Sequence, residues 1–293
     1  MPDIYVGTAG WSYKDWVPTF YPKGNSKSFD WLEFYSLYFN LVEVNASYYT
    51  YLDPKIVNGW IGKVSGSSDF LFTYKLNQDF THKRSFGMRE AKAVQYNLDL
   101  LKGAERLGGL LIQFPYSFGC TDANVDYLRR LLEWFEQYDM FVEVRHNSWN
   151  NPRIYDFLRE HNAAFCTIDQ PAIGEAVEFL PVATNDVLYI RCHGRNEAAW
   201  RASVENFGKQ VSYAEQSARY EYLYSPGELL EIDRKLKEIF DRVNKVFLIM
   251  NNHPKGDAVA NAFELLHYLR GLNSVSIPKT TVAAYPRLIK IAG

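Results

Sequence analysis

Val187-Leu188-Tyr189-Ile190-Arg191-Cys192-His193-Gly194-Arg195 opens as an apolar and aromatic β-strand and closes on charge-capable side chains. Strand alternation puts Tyr189, Arg191 and His193 on one face, and the glycine ends the run. Arg and His at the last interior positions of a strand need hydrogen-bond partners, because burying them alone costs several kcal/mol, roughly. Neighbouring strands must supply those partners. The decisive question for the fold is whether other strands end in the same way.

Seven further segments rich in β-branched and aromatic residues recur along the chain: 4–8, 41–45, 70–76, 110–114, 141–146, 164–169 and 246–251. Most are separated by helical patterns. Asp53-Pro54 and Asn151-Pro152 each pair a cap with a first-turn proline, Thr121 caps an amphipathic run, and Ser225-Pro226-Gly227-Glu228 is a capping box. One long helix is expected to stop at Gly108-Gly109, and a last one to run from Asp257 to Arg270. The sixth unit leaves room only for a short helix around 174–179.

Alternating strands and helices call for parallel pairing, and eight units call for a single (β/α)8 TIM-type barrel domain over residues 1–293. A doubly wound open sheet is the alternative architecture. The polar stretch from Gly194 to Tyr224 is expected to form an elaborated loop after the seventh strand.

The composition bounds the partners. A formal charge of -2 provides no global basic field, so nucleic acid would require a local patch. The amino terminus lacks a basic segment leading into a long apolar one, and no run is apolar enough to span a bilayer; a cytoplasmic protein without a membrane partner is expected. Three cysteines without CxxC spacing fit reduced thiols, with Cys166 and Cys192 as small core residues. Oligomeric state is not legible.

In a parallel barrel every strand ends at the same mouth, where this fold carries its chemistry. The second strand delivers Glu43 and Asn45, the third Lys75, the fourth Gln113, and the fifth Glu143 and Arg145. Asp169 follows the sixth, Arg191 and His193 close the seventh, and Asn251-Asn252 close the eighth. Glu43, Glu143, His193 and Asp169 are candidate catalytic groups; Lys75, Arg145, Arg191, Asn45, Gln113, Asn251, Asn252, His82 and Trp11 are candidates for holding an anionic or sugar-like ligand. Self-satisfied ion pairing is the competing reading, although apolar residues often replace such buried pairs without loss. The loop charges of Thr81-His82-Lys83-Arg84 read as solvated surface, with His82 able to turn inward.

No GxGxxG, P-loop, GxSxG or HExxH pattern occurs, so no nucleotide cofactor is implied. Acid/base chemistry by paired carboxylates remains, as in glycoside hydrolysis, or water activation by a divalent metal held by Glu43, Glu143, Asp169 and His193. The nearby cations argue against the metal by neutralising those carboxylates. Trp11, Tyr13, Trp16, Tyr48, Tyr49 and Trp149 follow strands, where they stack on sugars or bases or simply plug loops.

These blocks carry a resemblance. Gly7-Thr8-Ala9-Gly10-Trp11-Ser12-Tyr13 with Phe20-Tyr21-Pro22, the 39–45 segment with Tyr48-Tyr49, Lys75 with Thr81-His82, Gln113-Phe114-Pro115, Glu143-Val144-Arg145 with Ser148-Trp149, Arg191-Cys192-His193-Gly194 and Asn251-Asn252 resemble, in order, the YecE-like proteins, domain-of-unknown-function family 72. The resemblance implies a TIM-type barrel and supplies no activity. Likeness of such barrels to metal-dependent endonuclease and sugar-isomerase barrels suggests hydrolytic, isomerising or nucleic-acid roles by fold analogy alone. Gly194-Arg195-Asn196-Glu197 departs from the family's pattern, so no ligand role is carried into that loop.

The sequence thus leaves two functions. One is an enzyme acting on a phosphorylated or sugar-like substrate by acid/base or metal-assisted hydrolysis or isomerisation. The other is a non-catalytic binder of a small anionic metabolite or single-stranded nucleic acid.

Overall fold

The computed structural model describes residues 1–24, 29–205 and 212–293. Strands β1 (Asp3–Ala9), β2 (Leu41–Val44), β3 (Leu71–Lys75), β4 (Leu107–Gln113), β5 (Met140–Glu143), β6 (Ala163–Asp169), β7 (Val187–Cys192) and β8 (Lys245–Met250) pair in chain order into a closed barrel. Every pairing is parallel, and β8 returns to β1 with Asp3 opposite Lys245. That closure excludes an open doubly wound sheet.

Covering helices are α1 (Trp31–Ser36), α2 (Pro54–Lys63), α3 (Met88–Gly103), α4 (Asp122–Trp134), α5 (Pro152–Glu160), α6 (Pro226–Lys237) and α7 (Asp257–Arg270). Their starts follow the sequence signals. Asp53, Thr121 and Asn151 each accept a first-turn N–H, and the Ser225–Glu228 capping box closes in both directions. Each cap satisfies a donor that the helix itself leaves orphaned. Replacing Thr121 with alanine is expected to cost about 1 kcal/mol, seen as a lower urea midpoint at unchanged slope. Helix α7 buries Val259, Phe263, Leu265 and Leu269 against the barrel, and each such side chain contributes roughly 1.5–3 kcal/mol on leaving water. No helix among the described residues is long and apolar enough to cross a membrane.

Two expectations fail locally. Helix α3 ends at Gly103, and Gly108-Gly109 lie inside β4. Gly109 sits at φ +141, where a Cβ would stand 2.5 Å from the Phe141 ring, so close strand packing and not helix termination requires glycine there. Between β6 and β7 there is no helix among the described residues. Gly174 turns the chain at φ +60, outside the helical region, at the point where the expected helix would begin. The segment instead straps the exit of β5: Ala176 bridges His146, and Val177 donates its N–H to the Arg145 carbonyl at 3.1 Å.

The elaborated loop after β7 holds helical segments Glu197–Glu205 and Tyr213–Ala218; residues 206–211 of it lie outside the described residues.

Inside the barrel the side chains form layers. Toward the strand starts Phe141 stacks on Tyr189 at 4.2 Å, with Phe247 5.7 Å from Phe141. Above them comes a charged layer, and above that the mouth.

Candidate active site at the barrel mouth

Arg191 is the centre of the charged layer and is 1% exposed. Its Nε and Nη2 donate to the two Glu43 oxygens at 2.9 and 2.6 Å, and its Nη1 donates to Glu143 Oε2 at 2.5 Å. The planar fork of a guanidinium suits this double engagement. Tyr189 adds its hydroxyl to Glu43 at 2.8 Å and contacts Thr73 at 2.9 Å. The other Glu143 oxygen takes Nε and Nη2 of Arg145 at 2.7 and 2.6 Å. Two carboxylates and two guanidiniums therefore form a neutral ladder. Although burial opposes ionisation, the Arg191 and Arg145 charges hold the Glu143 carboxyl well below the usual carboxylate range.

His193 completes one wall. Its Nε2 faces Arg145 Nη2 at 3.1 Å and its Nδ1 faces the Asn251 side-chain nitrogen at 2.8 Å. Glu143 Oε1 stands farther off, 3.6 Å from Nε2. Arg145 can only donate, so Nε2 accepts from it and carries no proton, which excludes the imidazolium form. Burial, then the Arg145 charge, accordingly push its pKa well below the ordinary histidine value. His193 is therefore a neutral imidazole. Arg145 is further oriented by Gln170, whose Oε1 accepts from Nη1 at 3.0 Å.

Lys75 differs from every charge around it. It enters from the end of β3 into the field of Arg191, Glu43, Glu143 and Arg145, yet makes no ion pair among the described residues. Its Nζ lies over the Tyr48 ring, 4.4 Å from the centroid. Burial first, and Arg191 next, lower its pKa to about 7, against the opposing pull of the two glutamates. His82 lies edge-on to Tyr48 at 5.1 Å and accepts or donates at 2.9 Å to Thr81. Its pKa falls to about 4 through burial and then the Lys75 and Arg145 charges.

A roof comes from the seventh loop. Trp200 packs 6.4 Å from His193 and face-on against Arg145, whose guanidinium is 5.7 Å from the indole. Arg219 covers Trp200 and Tyr220 at 5.3 and 4.8 Å. Trp200 Nε1 and Arg219 Nε are buried without a hydrogen-bond partner among the described residues.

The structure brings Glu43, Glu143, Arg145, Arg191, His193, Asn251, Lys75 and His82 together. Gln113 stands beside Glu143 in the β4–β5 register and spends its amide on the Phe114 carbonyl. Asn45 stays partly exposed at the end of β2 with no side-chain cap bond.

Three candidates are placed elsewhere. Asp169 is bound by Arg195 at 2.6 Å and by the Tyr224 hydroxyl at 2.6 Å, on the strand face opposite to Cys166, which looks toward the ladder. Asn252 is spent on the Tyr222 carbonyl and Asn261. Trp11 follows Gly10, at φ +84, and packs against Trp60 at 5.2 Å in a separate cavity of about 240 Å³.

With Asp169 withdrawn and both glutamates occupied by arginines, the donor set expected for a divalent metal is not assembled. Among the described residues no group of three His, Cys, Asp or Glu is arranged to hold one. Cys166 and Cys192 are buried free thiols whose pKa burial raises well above normal. Gln170, Trp200, Arg219 and Tyr220 were not singled out from sequence. The available signal was the aromatic content of the 194–224 stretch.

A family model described as Protein of unknown function DUF72 matches residues 5–283. UPF0759 protein YunF of Bacillus subtilis is 30% identical over 278 residues, covering 91% of this chain and 94% of that one. Among solved structures, a DUF72 family protein from Thermotoga maritima superposes with a TM-score of 0.78 at 31% identity, over 92% of this chain and 99% of the other. One from Enterococcus faecalis gives 0.78 at 26%, over 94% and 98%.

Proposed function

Since the chain belongs to the DUF72 family, described as proteins of unknown function, we propose its activity from its own barrel mouth: acid/base catalysis on a small sugar-like or anion-bearing substrate. The observation that carries this reading is Lys75. A ladder kept only for stability would pair all its charges, whereas this nitrogen stands apart from the carboxylates and holds a proton loosely near neutral pH. His193, neutral and tethered to Asn251 and Arg145, is the second group able to move a proton. Arg145 and Gln170 orient the substrate, and Trp200 with Tyr220 excludes water from above. Isomerisation by proton transfer next to a carbonyl needs this set and no metal, so it is favoured over metal-assisted hydrolysis.

The unpartnered Trp200 Nε1 and Arg219 Nε favour a second reading, a binder without turnover. The two readings separate in one experiment. Free and phosphorylated sugars and short hydroxy acids are screened by thermal shift, and each stabilising compound is followed by NMR in deuterated buffer. Exchange of a substrate C–H in the wild type, lost by at least about 100-fold in His193→Gln, is expected from the typical worth of a general base. Stabilisation without exchange in the wild type sinks the enzyme reading and leaves the binder. Steep salt dependence of binding would point the binder to nucleic acid.

A further inference from the structure

We propose that the Lys75 amine forms an imine with the carbonyl carbon of an aldehyde or ketone substrate bound at the mouth. The inference deepens the reading above by naming the substrate class, and rests on that reading only for the location of the site.

Three features carry it. Lys75 lies at the end of a barrel strand, is partly exposed, and makes no ion pair among the described residues. The carboxylates that would otherwise hold it as ammonium are already committed: both Glu43 oxygens to Arg191, and those of Glu143 to Arg191 and Arg145. Two fixed guanidiniums share the field, and a cation beside a lysine is one of the devices that liberates a nucleophilic amine. The charged and titratable groups facing it are thus Arg191, Glu43, Glu143, Arg145, Tyr48 and His82.

The step balances without an added oxidant or metal. The Nζ lone pair attacks the carbonyl carbon, the C–O π pair moves to oxygen, and one amine proton passes from nitrogen to that oxygen to give the carbinolamine. The second amine proton then follows, the C–O bond breaks to release water, and the nitrogen lone pair closes C=N. One amine and one carbonyl give one imine and one water. His82, neutral and in the field of Lys75, is the base available to accept and return those protons.

With its pKa at about 7 Lys75 is half neutral at that pH, against roughly 1 in 3,000 for an unperturbed lysine. The test is reductive trapping. The full chain is incubated at pH 7 with glyceraldehyde or pyridoxal 5′-phosphate and cyanoborohydride, and the labelled lysines are mapped by mass spectrometry. Expected is one adduct per chain, on Lys75, at least about 30-fold faster than on any surface lysine, with a rate that levels off above pH 7. Lys75→Arg, checked for folding by circular dichroism, should lose that adduct alone. Labelling spread over surface lysines with Lys75 no faster overturns the proposal, even where substrate C–H exchange persists and sustains the acid/base reading. Selective Lys75 labelling without C–H exchange upholds the imine and overturns that reading instead.

Discussion

Arg191→Met is expected to lose about 4 kcal/mol of stability, the cost typical of removing one partner from a buried ion pair. The methionine fills much of the space, so the loss is electrostatic. Glu43 keeps only the Tyr189 hydroxyl, while Glu143 retains Arg145 and the more distant His193. A buried carboxylate left without its cation costs stability only while it is ionised, so neutralising it in acid relieves the loss. The deficit relative to wild type should therefore be small near pH 4 and full at pH 8. Urea unfolding followed by circular dichroism at the two pH values measures it. The double variant Glu43→Gln, Arg191→Met should recover part of the loss by removing the stranded charge. A deficit independent of pH would show that packing, and not charge, is what Arg191 supplies.

Lys75→Met has the opposite sign. Its folded pKa of about 7 lies below the ordinary 10.5, so the amine's contribution is fully favourable only above the unfolded value and is lost as pH falls toward 7. At neutral pH the protein is thus carrying an ammonium at a cost. Each pKa unit is worth about 1.4 kcal/mol, and because Lys75 is partly exposed the nominal sum is discounted for solvent screening. A gain of roughly 1–3 kcal/mol at pH 7 is expected on replacing it with methionine, shrinking toward zero near pH 10.5. Carbonyl trapping should disappear in the same variant. Calorimetry at pH 7 and pH 10 checks the stability half, and a variant less stable than wild type at pH 7 would refute it. A residue whose removal stabilises the fold while abolishing the chemistry is one retained for function.

Local signals made much of this legible. Caps at Asp53, Thr121, Asn151 and Ser225 act within one turn, and alternation within β7 placed Tyr189, Arg191 and His193 together on the barrel interior. Asp169 misled because charge at a strand end does not state which face it occupies. That depends on the parity of β6, which turns Cys166 inward and Asp169 out to Arg195. Trp11 misled because a left-handed glycine intervenes between its strand and its side chain. The strap between β6 and β7 has no periodicity to read, since its backbone bonds go to residues some thirty positions away, at Arg145 and Asn147. Trp200, Arg219 and Tyr220 reach the mouth through long-range packing that no window of sequence contains.

The layering has a consequence for how such a barrel can change. The ladder is built wholly from strand positions and their immediate exits, and its charges cancel internally. The roof comes from one long connection that touches the ladder through Arg145 and His193. Floor and roof are thus separable parts: replacing the connection after β7 would rebuild the cover over Arg145 and His193 while every hydrogen bond of the ladder kept both its partners.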